Sequence, residues 1–247
     1  MRVGIVTVTY NSAAALRDMW TLIPGGDITW LVVDNNSSDD SVECAKRLGA
    51  EVHGLAVNAG FAAANNAGAR LLLDHDVLVF ANPDVSITRA QAQELAMHSL
   101  SHGGLAAPQL RNPDGSLQPN GRGLPTLWNK IWHRLAPSKG SYRIYSTGAC
   151  TPVSWCMGAL IALPTVQFTS IGGWNEKYFL YYEDAEICLR ARSKGLPVML
   201  CGDVYASHAW ARDTLKMSWA PWRRELASAL RFYSRYPWLL LPLKSKD

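Results

Sequence analysis

The first third of the chain alternates short apolar, β-branched runs with segments of helical composition, and this alternation restricts the fold more than any other feature. In chain order the segments are Val3–Thr9, Ala13–Leu22, Trp30–Val33, Ser41–Leu48, Glu51–Gly54, Phe61–Leu73 and Val77–Ala81. Strands that alternate with helices build a parallel sheet covered on both faces. The sequence therefore predicts an α/β fold with a Rossmann-like, mostly parallel central sheet flanked by helices.

Small polar or acidic residues follow four consecutive predicted strands. They are Thr9–Asn11, Asp34–Asn35, Asn58–Gly60 and Asn82–Asp84. Turns favour Asn, Asp and Gly in any protein, so one such group would indicate little. In open α/β sheets, however, ligands bind beyond the carboxyl ends of the strands. Four groups together predict a ligand-binding edge.

A second acidic cluster lies about a hundred residues after Asp84, directly after an apolar stretch at Tyr178–Leu180. Glu183, Asp184 and Glu186 begin a predicted helix that runs from Asp184 to Lys194, and Trp155–Leu163 and Val198–Cys201 are predicted strands on either side. Clustered carboxylates are costly unless they hold a metal, accept a proton or face water. One carboxylate for a metal and one for proton abstraction would suffice to move a group off a phosphate ester.

Charge and cysteine usage restrict the class of protein. The net charge of +4 is mild, so it does not indicate a nucleic-acid partner. The five cysteines are scattered, odd in number and contain no Cys-x-x-Cys pair. Such usage predicts a reduced, cytoplasmic protein without a disulfide framework or a structural zinc site.

Six segments resemble, in the same order, family 2 glycosyltransferases and in particular their rhamnosyltransferase-like branch. They are Ile5–Asn11, Val32–Ser41, Asn58–Ala69, Val79–Val85, Gly172–Arg192 and Val204–His208. The resemblance implies a GT-A fold and an inverting transfer from a nucleotide-diphospho-sugar. We expect residues 1–210 to form this domain and residues 211–247 a C-terminal helical extension.

The resemblance assigns the predicted edge to the donor nucleotide. Asp34 would accept the imide N–H of uracil or thymine, unless it only caps a turn. Backbone N–H groups at the start of a helix would approach ribose or phosphate. The implied nucleotide contacts are Thr9, Tyr10, Asn11, Asp34, Asn58 and Gly60.

Further donor and acceptor contacts are implied in the helix after Gly60 and in the second half. Asparagine pairs are poor choices within a helix, so Asn65 and Asn66 are expected to face the site, with helix packing as the alternative. Gly158 lies in a segment that resembles the lining of the donor-sugar pocket, where glycine allows a close approach. Trp174 would shape the acceptor pocket or fill the core.

Asn82–Asp84 stands where the family carries its metal motif, commonly Asp-x-Asp. This chain has Asn first, as the rhamnosyltransferase-like branch also does, and a neutral amide is a weak ligand for a hard cation. Asp84 is therefore expected to coordinate Mg²⁺ or Mn²⁺, while Asn82 bonds to sugar or ribose. The resemblance places His208 as a further contact to the metal or the diphosphate.

Asp184 is the expected catalytic base. It would take the proton of an acceptor hydroxyl that attacks the anomeric carbon opposite the leaving diphosphate. Glu183 would then raise the pKa of the base or bind the acceptor. The reverse assignment of these two carboxylates is also open.

The C-terminal extension has an amphipathic pattern from Pro221 to Tyr236. Arg224, Arg231 and Arg235 fall on one stripe, opposite Trp222, Leu226, Leu230 and Tyr233. Such a helix suits an anionic membrane surface and a lipid-linked acceptor. Packing on the protein's own core or on a second copy in a homodimer is the alternative.

The leading hypothesis is a glycosyltransferase at the cytoplasmic face of the membrane that builds a bacterial surface glycan. dTDP-rhamnose is the first donor candidate and UDP-sugars are the second. A sugar nucleotidyltransferase would need a Gly-rich, basic loop after the first strand, which Thr9–Ala13 does not provide. A non-catalytic nucleotide-sugar-binding module remains an alternative, and a dehydrogenase is disfavoured because no Gly-x-Gly-x-x-Gly follows the first strand.

Overall fold

A computed structural model describes residues 1–20, 25–130, 142–209 and 219–241, the last range with side chains from residue 223 onward. The strands are β1 (Val3–Thr9), β2 (Ile28–Asp34), β3 (Glu51–Gly54), β4 (Val77–Ala81), β5 (Val85–Ser86), β6 (Leu105–Arg111), β7 (Gly121–Arg122), β8 (Arg143–Ile144), β9 (Thr151–Pro152), β10 (Trp155–Cys156), β11 (Leu160–Pro164) and β12 (Val198–His208). The helices are α1 (Ala13–Met19), α2 (Ser41–Arg47), α3 (Phe61–Leu71), α4 (Arg89–His102), α5 (Thr165–Ile171), α6 (Glu183–Ser193) and α7 (Trp219–Arg235), followed by a 3₁₀ turn at Pro237–Leu240.

One central sheet carries the fold, in the order β3-β2-β1-β4-β11-β6-β12-β5. The first four strands are parallel, which confirms the predicted Rossmann-like half. In the second half β11 runs antiparallel between β4 and β6, and β12 lies parallel to β6. A small antiparallel sheet of β10, β7 and β8 stands apart. The α/β fold is confirmed.

The central sheet is buried on both faces. Along β1, Val3 and Ile5 pack in one hydrophobic cluster and Val6 and Val8 in another, as the two-residue period of a strand requires. Helices α1, α2 and α4 contribute to the first cluster, and α3, α5, α6 and α7 to the second. The result is a three-layer arrangement of helices, sheet and helices.

Two predicted strands of the second half have different bounds in the structure. Trp155–Leu163 is divided into β10 and β11 by a turn at residues 157–159. Val198–Cys201 continues to His208 as a single strand, with a bulge between Cys201 and Tyr205 where its register with β6 shifts. A bulge adds a residue without ending the strand. The prediction, which relied on apolar spacing alone, therefore ended the strand at Cys201.

The prediction of a reduced protein is wrong at one pair of cysteines, because Cys150 and Cys201 are bonded across 51 residues of sequence. The antiparallel pairing of β9 with β12 sets Thr151 against Leu200 and so carries Cys150 to Cys201. Spacing along the sequence cannot indicate such a pair. Cys44, Cys156 and Cys188 are free and buried.

The described part of the C-terminal extension packs on the sheet's hydrophobic core. Phe232, Tyr233 and Leu239 are buried, whereas Leu226 and Leu230 are 62% and 64% exposed. Tyr233 is thus buried, unlike the other described residues of the predicted apolar stripe, Leu226 and Leu230. Its hydroxyl donates to the Pro125 carbonyl. In the described residues, no helix combines the length and apolar character needed to cross a bilayer.

The remaining predictions for this extension lie outside the described residues or stay open. The side chain of Trp222 and residues 242–247 are not described. A domain boundary at residue 210 stays a prediction, although α7 shares one core with residues 1–210.

Candidate active site

A cleft of about 560 Å³ opens at the carboxyl ends of β1, β2 and β4, the edge at which the sequence predicts ligand binding. Its lining includes six residues of the predicted donor and metal sites: Tyr10, Asn11, Asn58, Gly60, Asn82 and Asp84. The structure thus brings together predicted residues that follow three different strands, β1, β3 and β4.

Thr9 and Asp34 lie beneath this cleft and are buried. The Thr9 hydroxyl donates to Asp34 Oδ1 at 3.1 Å, and the Ser37 backbone N–H donates to Oδ2 at 3.0 Å. Both carboxylate oxygens therefore have protein partners, in the turn-capping arrangement that the sequence left open. A contact between Asp34 and a base stays a prediction.

Asn35, which the sequence places at the ligand-binding edge without a specific role, organises the cleft floor. Its side-chain N–H donates to Asn58 Oδ1 at 2.9 Å, and its Oδ1 accepts the Ala59 N–H at 2.8 Å. Asn58 Oδ1 also accepts the Gly60 N–H at 3.1 Å. This network fixes the loop before α3 and turns its backbone toward the cleft.

Gly60 allows the segment before α6 to touch the start of α3. Its φ is +86°, and a Cβ at this position would stand 2.7 Å from the Phe179 carbonyl oxygen. The Phe61 N–H donates to that same carbonyl at 2.8 Å. A side chain at residue 60 would separate the two segments, so glycine is required by both backbone angle and space. This contact carries Phe179 and Leu180 into the cleft wall.

Asp84 and His208 meet at the rim of the cleft. Asp84 Oδ2 lies 3.4 Å from His208 Nε2, and the end of β12 is held by the Ala209 N–H, which donates to the Asp84 carbonyl. The pair that the sequence assigns to the metal is therefore adjacent. Beside it, Oδ1 of Asn82 is buried without a hydrogen-bond partner in the structure.

Gln118, a residue that sequence reasoning missed, determines which nitrogen of His208 carries the proton. Its Nε2 donates to Asn112 Oδ1 at 2.7 Å and to the His208 carbonyl at 2.8 Å, so its Oε1 must be the acceptor toward His208 Nδ1 at 2.8 Å. Nδ1 then holds the hydrogen, and the lone pair of Nε2 faces the Asp84 carboxylate. In the neutral ring, Nε2 and the Asp84 carboxylate can then bind one cation together, so the donor set fits Mg²⁺ or Mn²⁺.

Asp184 reaches the same region through a two-residue bridge. The Gly158 N–H donates to Asp184 Oδ2 at 3.3 Å, and the carbonyl of the next residue, Ala159, accepts the Asn82 N–H at 2.8 Å. A Cβ on Gly158 would stand 3.2 Å from that of Asp184. The predicted base and the predicted metal motif are thus linked by one short stretch of backbone.

Burial changes the acidity of both predicted catalytic carboxyls. Burial raises the pKa of Asp184, against the N–H groups of Ala185 and Gly158 and the cations of Lys130 and Arg122, which lower it. Burial and then the charge of Asp184 raise the pKa of Glu183 well above its usual range. Glu183 is 7% exposed and its Oε2 has no hydrogen-bond partner, whereas Asp184 is half-buried. Asp184 is therefore the less buried of the two carboxyls, and neither of them lines the cleft.

Three predicted site residues have packing roles in the structure. The Asn65 side chain is buried and donates to the Phe61 carbonyl within α3. Asn66 donates to the Trp174 carbonyl at 2.9 Å and accepts the Trp174 N–H. Trp174 is 2% exposed and packs edge-on against Phe61 and Phe80, which is the core position that the sequence left open as one of two alternatives. A donor contact for Asn65 stays a prediction, although it does not line the cleft.

Helix α7 places the cation of Arg224 in the cleft. The sequence had assigned this residue to the arginine stripe of a membrane-binding helix. Arg224 lines the cleft, and its guanidinium stands 4.7 Å from the centre of the Phe179 ring. On the same side of the helix, Arg235 Nε lies 3.4 Å from Glu186 Oε1. The arginine stripe therefore faces the protein.

Comparison with known proteins agrees with this arrangement. Residues 4–151 match the model of glycosyl transferase family 2. Over 215 residues the chain is 28% identical to the low-salt glycan biosynthesis hexosyltransferase Agl10 of Haloferax volcanii, with 83% of this chain and 66% of that protein covered. It is also 28% identical over 210 residues to the N-acetylglucosaminyl-diphospho-decaprenol L-rhamnosyltransferase of Mycobacterium tuberculosis, covering 74% of this chain and 68% of the relative.

A solved structure extends the comparison to the fold. GalNAc-T7, crystallised with UDP, GalNAc and Mn²⁺, superposes with a TM-score of 0.64 at 14% identity, covering 98% of this chain and 52% of that one. The chain thus spans about two thirds of the curated relatives that it matches and half of this structure. The family match covers more than half of the chain and includes the strand-end residues of the cleft. The chain therefore belongs to glycosyltransferase family 2, and its motifs resemble the rhamnosyltransferase-like branch of that family.

Proposed function

We propose that this chain is an inverting glycosyltransferase that moves a sugar from a nucleotide-diphospho-sugar to an acceptor hydroxyl. The observation that carries the proposal is the backbone bridge of Gly158 and Ala159, which links the carboxyl of Asp184 to the Asn82–Asp84 motif through two hydrogen bonds. A base and a diphosphate-binding centre linked by one short stretch of backbone are the parts that the reaction needs.

Asp184 acts as the base in this proposal. Its carboxylate accepts the proton of the acceptor hydroxyl while the hydroxyl oxygen bonds to the anomeric carbon. The bond from that carbon to the phosphate oxygen breaks on the opposite face, so the configuration inverts and the nucleoside diphosphate leaves with the bonding electrons. A carboxyl with a raised pKa is a stronger base once ionised, which favours this role.

Asp84 and the Nε2 of His208 would hold a divalent cation. When bound, Mg²⁺ or Mn²⁺ supplies positive charge that stabilises the departing diphosphate. Removal of divalent ions with EDTA should abolish transfer, and Mn²⁺ should restore it. Full activity after EDTA treatment would refute the assignment of Asp84 and His208.

Arg224 would contact the diphosphate from the other side of the cleft. It is a cation on the lining of a pocket that otherwise presents amides and one carboxylate. Arg224→Ala should weaken binding of a nucleoside diphosphate about tenfold, the effect of one charge-assisted contact. Arg223→Ala is the matched control, because Arg223 is also exposed but does not line the cleft.

The donor sugar is proposed to be L-rhamnose from dTDP-rhamnose, with a UDP-sugar as the alternative. The name of the mycobacterial relative supports rhamnose, and the GalNAc-T7 complex contains UDP. Thermal shift with dTDP-rhamnose, UDP-glucose and UDP-N-acetylglucosamine, each with Mn²⁺, separates the candidates. A ligand at about a hundred times its Kd adds roughly 2.7 kcal/mol to the free energy of unfolding. No shift with any nucleotide sugar would refute donor binding.

The acceptor is proposed to be lipid-linked, at the cytoplasmic face of a membrane. The mycobacterial relative is named for a diphospho-decaprenol acceptor. Leu226, Leu230 and Leu241 are more than 60% exposed on the extension that also lines the cleft through Arg224. Apolar side chains on a basic helix favour the interface of an anionic bilayer.

Vesicle binding tests this placement. Leu226→Ser with Leu230→Ser should reduce binding to vesicles of phosphatidylglycerol by more than tenfold, because each leucine contributes on the order of 1.5–3 kcal/mol on burial. Leu73→Ser with Leu100→Ser removes two exposed leucines elsewhere and should change nothing. Equal binding of both double variants would refute the membrane role of α7, while the donor assays remain independent of it.

A non-catalytic binding module is separated from an enzyme by one variant. Asp184→Asn should bind the donor with Mn²⁺ as the wild type does but transfer no sugar. If the wild type also fails to transfer to polyprenyl-linked saccharides while it binds donor, the binding-module alternative is correct.

A further inference from the structure

Four potential metal ligands converge far from the cleft, between α4 and the bulge of β12. They are His98 on α4, Cys150 just before β9, and Cys201 and Asp203 on β12. One donor atom of each lies within 4.8 Å of every other. None of these four residues lines the cleft, and neither Asp84 nor His208 belongs to the group, so it is a separate site.

We propose that His98, Cys150, Cys201 and Asp203 form a Zn²⁺ site when the Cys150–Cys201 disulfide is reduced. Tetrahedral zinc holds sulfur at about 2.3 Å and nitrogen or oxygen at about 2.0–2.2 Å, which sets its ligand atoms roughly 3.3–3.8 Å apart. The observed separations, which are at most 4.8 Å, are close to these values, and the two bonded sulfurs must move apart to reach them. Thiolate and imidazole ligands select zinc over the Mg²⁺ or Ca²⁺ that a purely oxygen site would take.

The backbone around the group is built for close approach. A Cβ on Gly202 would stand 2.4 Å from the Ser146 carbonyl carbon, so only glycine lets the segment before Cys150 lie against β12. The bulge between Cys201 and Tyr205 then turns Asp203 toward α4. Bulges of this kind redirect side chains at functional sites.

His98 is oriented toward the group and lacks a hydrogen bond of its own there. Its Nε2 lies 3.0 Å from Asp203 Oδ2, yet the alignment does not make a hydrogen bond. A cation between the imidazole and the carboxylate would satisfy both. The ring of His102, one turn later, stacks at 6.4 Å between centroids and supports the orientation of His98.

Reduction and metal binding balance as follows. A phosphine attacks one sulfur of the disulfide, the S–S bond breaks, and water supplies the oxygen of the phosphine oxide and the two hydrogens of the thiols. The thiols then bind Zn²⁺ as thiolates and release two protons to solvent. The oxidised chain keeps the covalent link, and the reduced chain replaces it with a metal link between the same two segments.

Titration of the phosphine-reduced protein with Co²⁺ tests the proposal, because Co²⁺ bound by thiolates has a sulfur-to-metal charge-transfer band. The cleft pair Asp84 and His208 contains no sulfur and cannot produce this band. We expect one equivalent of Co²⁺ to produce it and Zn²⁺ to remove it. Cys201→Ser should lose the band, whereas Cys188→Ser, at the other close pair of cysteines, should retain it.

His98→Asn separates a four-ligand site from a simple dithiol. It should weaken Co²⁺ binding at least about tenfold while the thiols remain. In the reduced wild type, Zn²⁺ at a hundred times its Kd should raise the Tm by about 5–10 °C. The same Zn²⁺ concentration should not raise the Tm of the oxidised protein. No charge-transfer band, a band lost in Cys188→Ser, or equal Co²⁺ affinity of His98→Asn and wild type would overturn the proposal.

Discussion

Replacement of Gln118 by leucine tests how the protein prepares His208 for a metal. The Gln118 side chain is fully buried and makes three hydrogen bonds, at 2.7, 2.8 and 2.8 Å, all toward Asn112 and His208. At about 1 kcal/mol each, their loss should lower the free energy of unfolding by roughly 3 kcal/mol and the Tm by about 6–12 °C. Loss of the acceptor for Nδ1–H also frees the ring and its tautomer.

The metal effect should exceed what the stability loss explains. Removal of a partner that orients a ligating histidine weakens metal binding about 10–100-fold. The assay is calorimetric titration of Mn²⁺ into protein saturated with UDP or dTDP, at a temperature where the variant is folded.

Gln109→Leu is the matched control. Gln109 is equally buried and also makes three hydrogen bonds, to Leu110, Gln118 and Ser146, but none to His208. It should cost similar stability and leave Mn²⁺ affinity near the wild-type value. Equal Mn²⁺ affinities of the two variants would refute the role given to Gln118.

Three further predictions concern the carboxyl pair and the loop before α3. Because the folded-state pKa of Glu183 is raised above 4.5, ionisation opposes folding as pH rises through that window, so Glu183→Gln should have the higher Tm at about pH 8 and no advantage near pH 4. The exposed Glu176→Gln should show no such crossing, and parallel Tm profiles of the two variants would contradict the buried charge. Asp184→Asn should lower kcat about 10²–10⁴-fold with the donor KM nearly unchanged, and a rate within tenfold of wild type would assign the base elsewhere. Gly60→Ala should lower the Tm and raise the donor KM because its Cβ meets backbone, whereas Gly54→Ala meets no atom within 4 Å and should do neither.

The sequence predicted the position of the cleft because parallel strands deliver their carboxyl ends to one edge. Tyr10, Asn58 and Asp84 follow different strands, and the topology alone makes them neighbours. The specific roles of Asn35 and Gln118 were missed for a different reason. Their roles depend on which amide oxygen accepts which hydrogen across 23 and 90 residues, and no local pattern carries that information.

The sequence could not decide between two environments for some side chains. Trp174 could fill an acceptor pocket or the core, and only the positions of Phe61 and Phe80 decide for the core. The cysteines appeared scattered because strand pairing, and not spacing, brings Cys150 to Cys201.

Helix α7 presents Arg224 to the cleft and Leu226 to solvent, only two residues apart on one rigid element. A bilayer that binds the leucine side would also fix the position of the guanidinium. Lipid and donor binding would then share a coupling free energy, and linkage makes it reciprocal: the factor by which the membrane raises donor affinity equals the factor by which donor raises membrane affinity. Donor affinities measured in the absence of a membrane would then be lower than those at its surface.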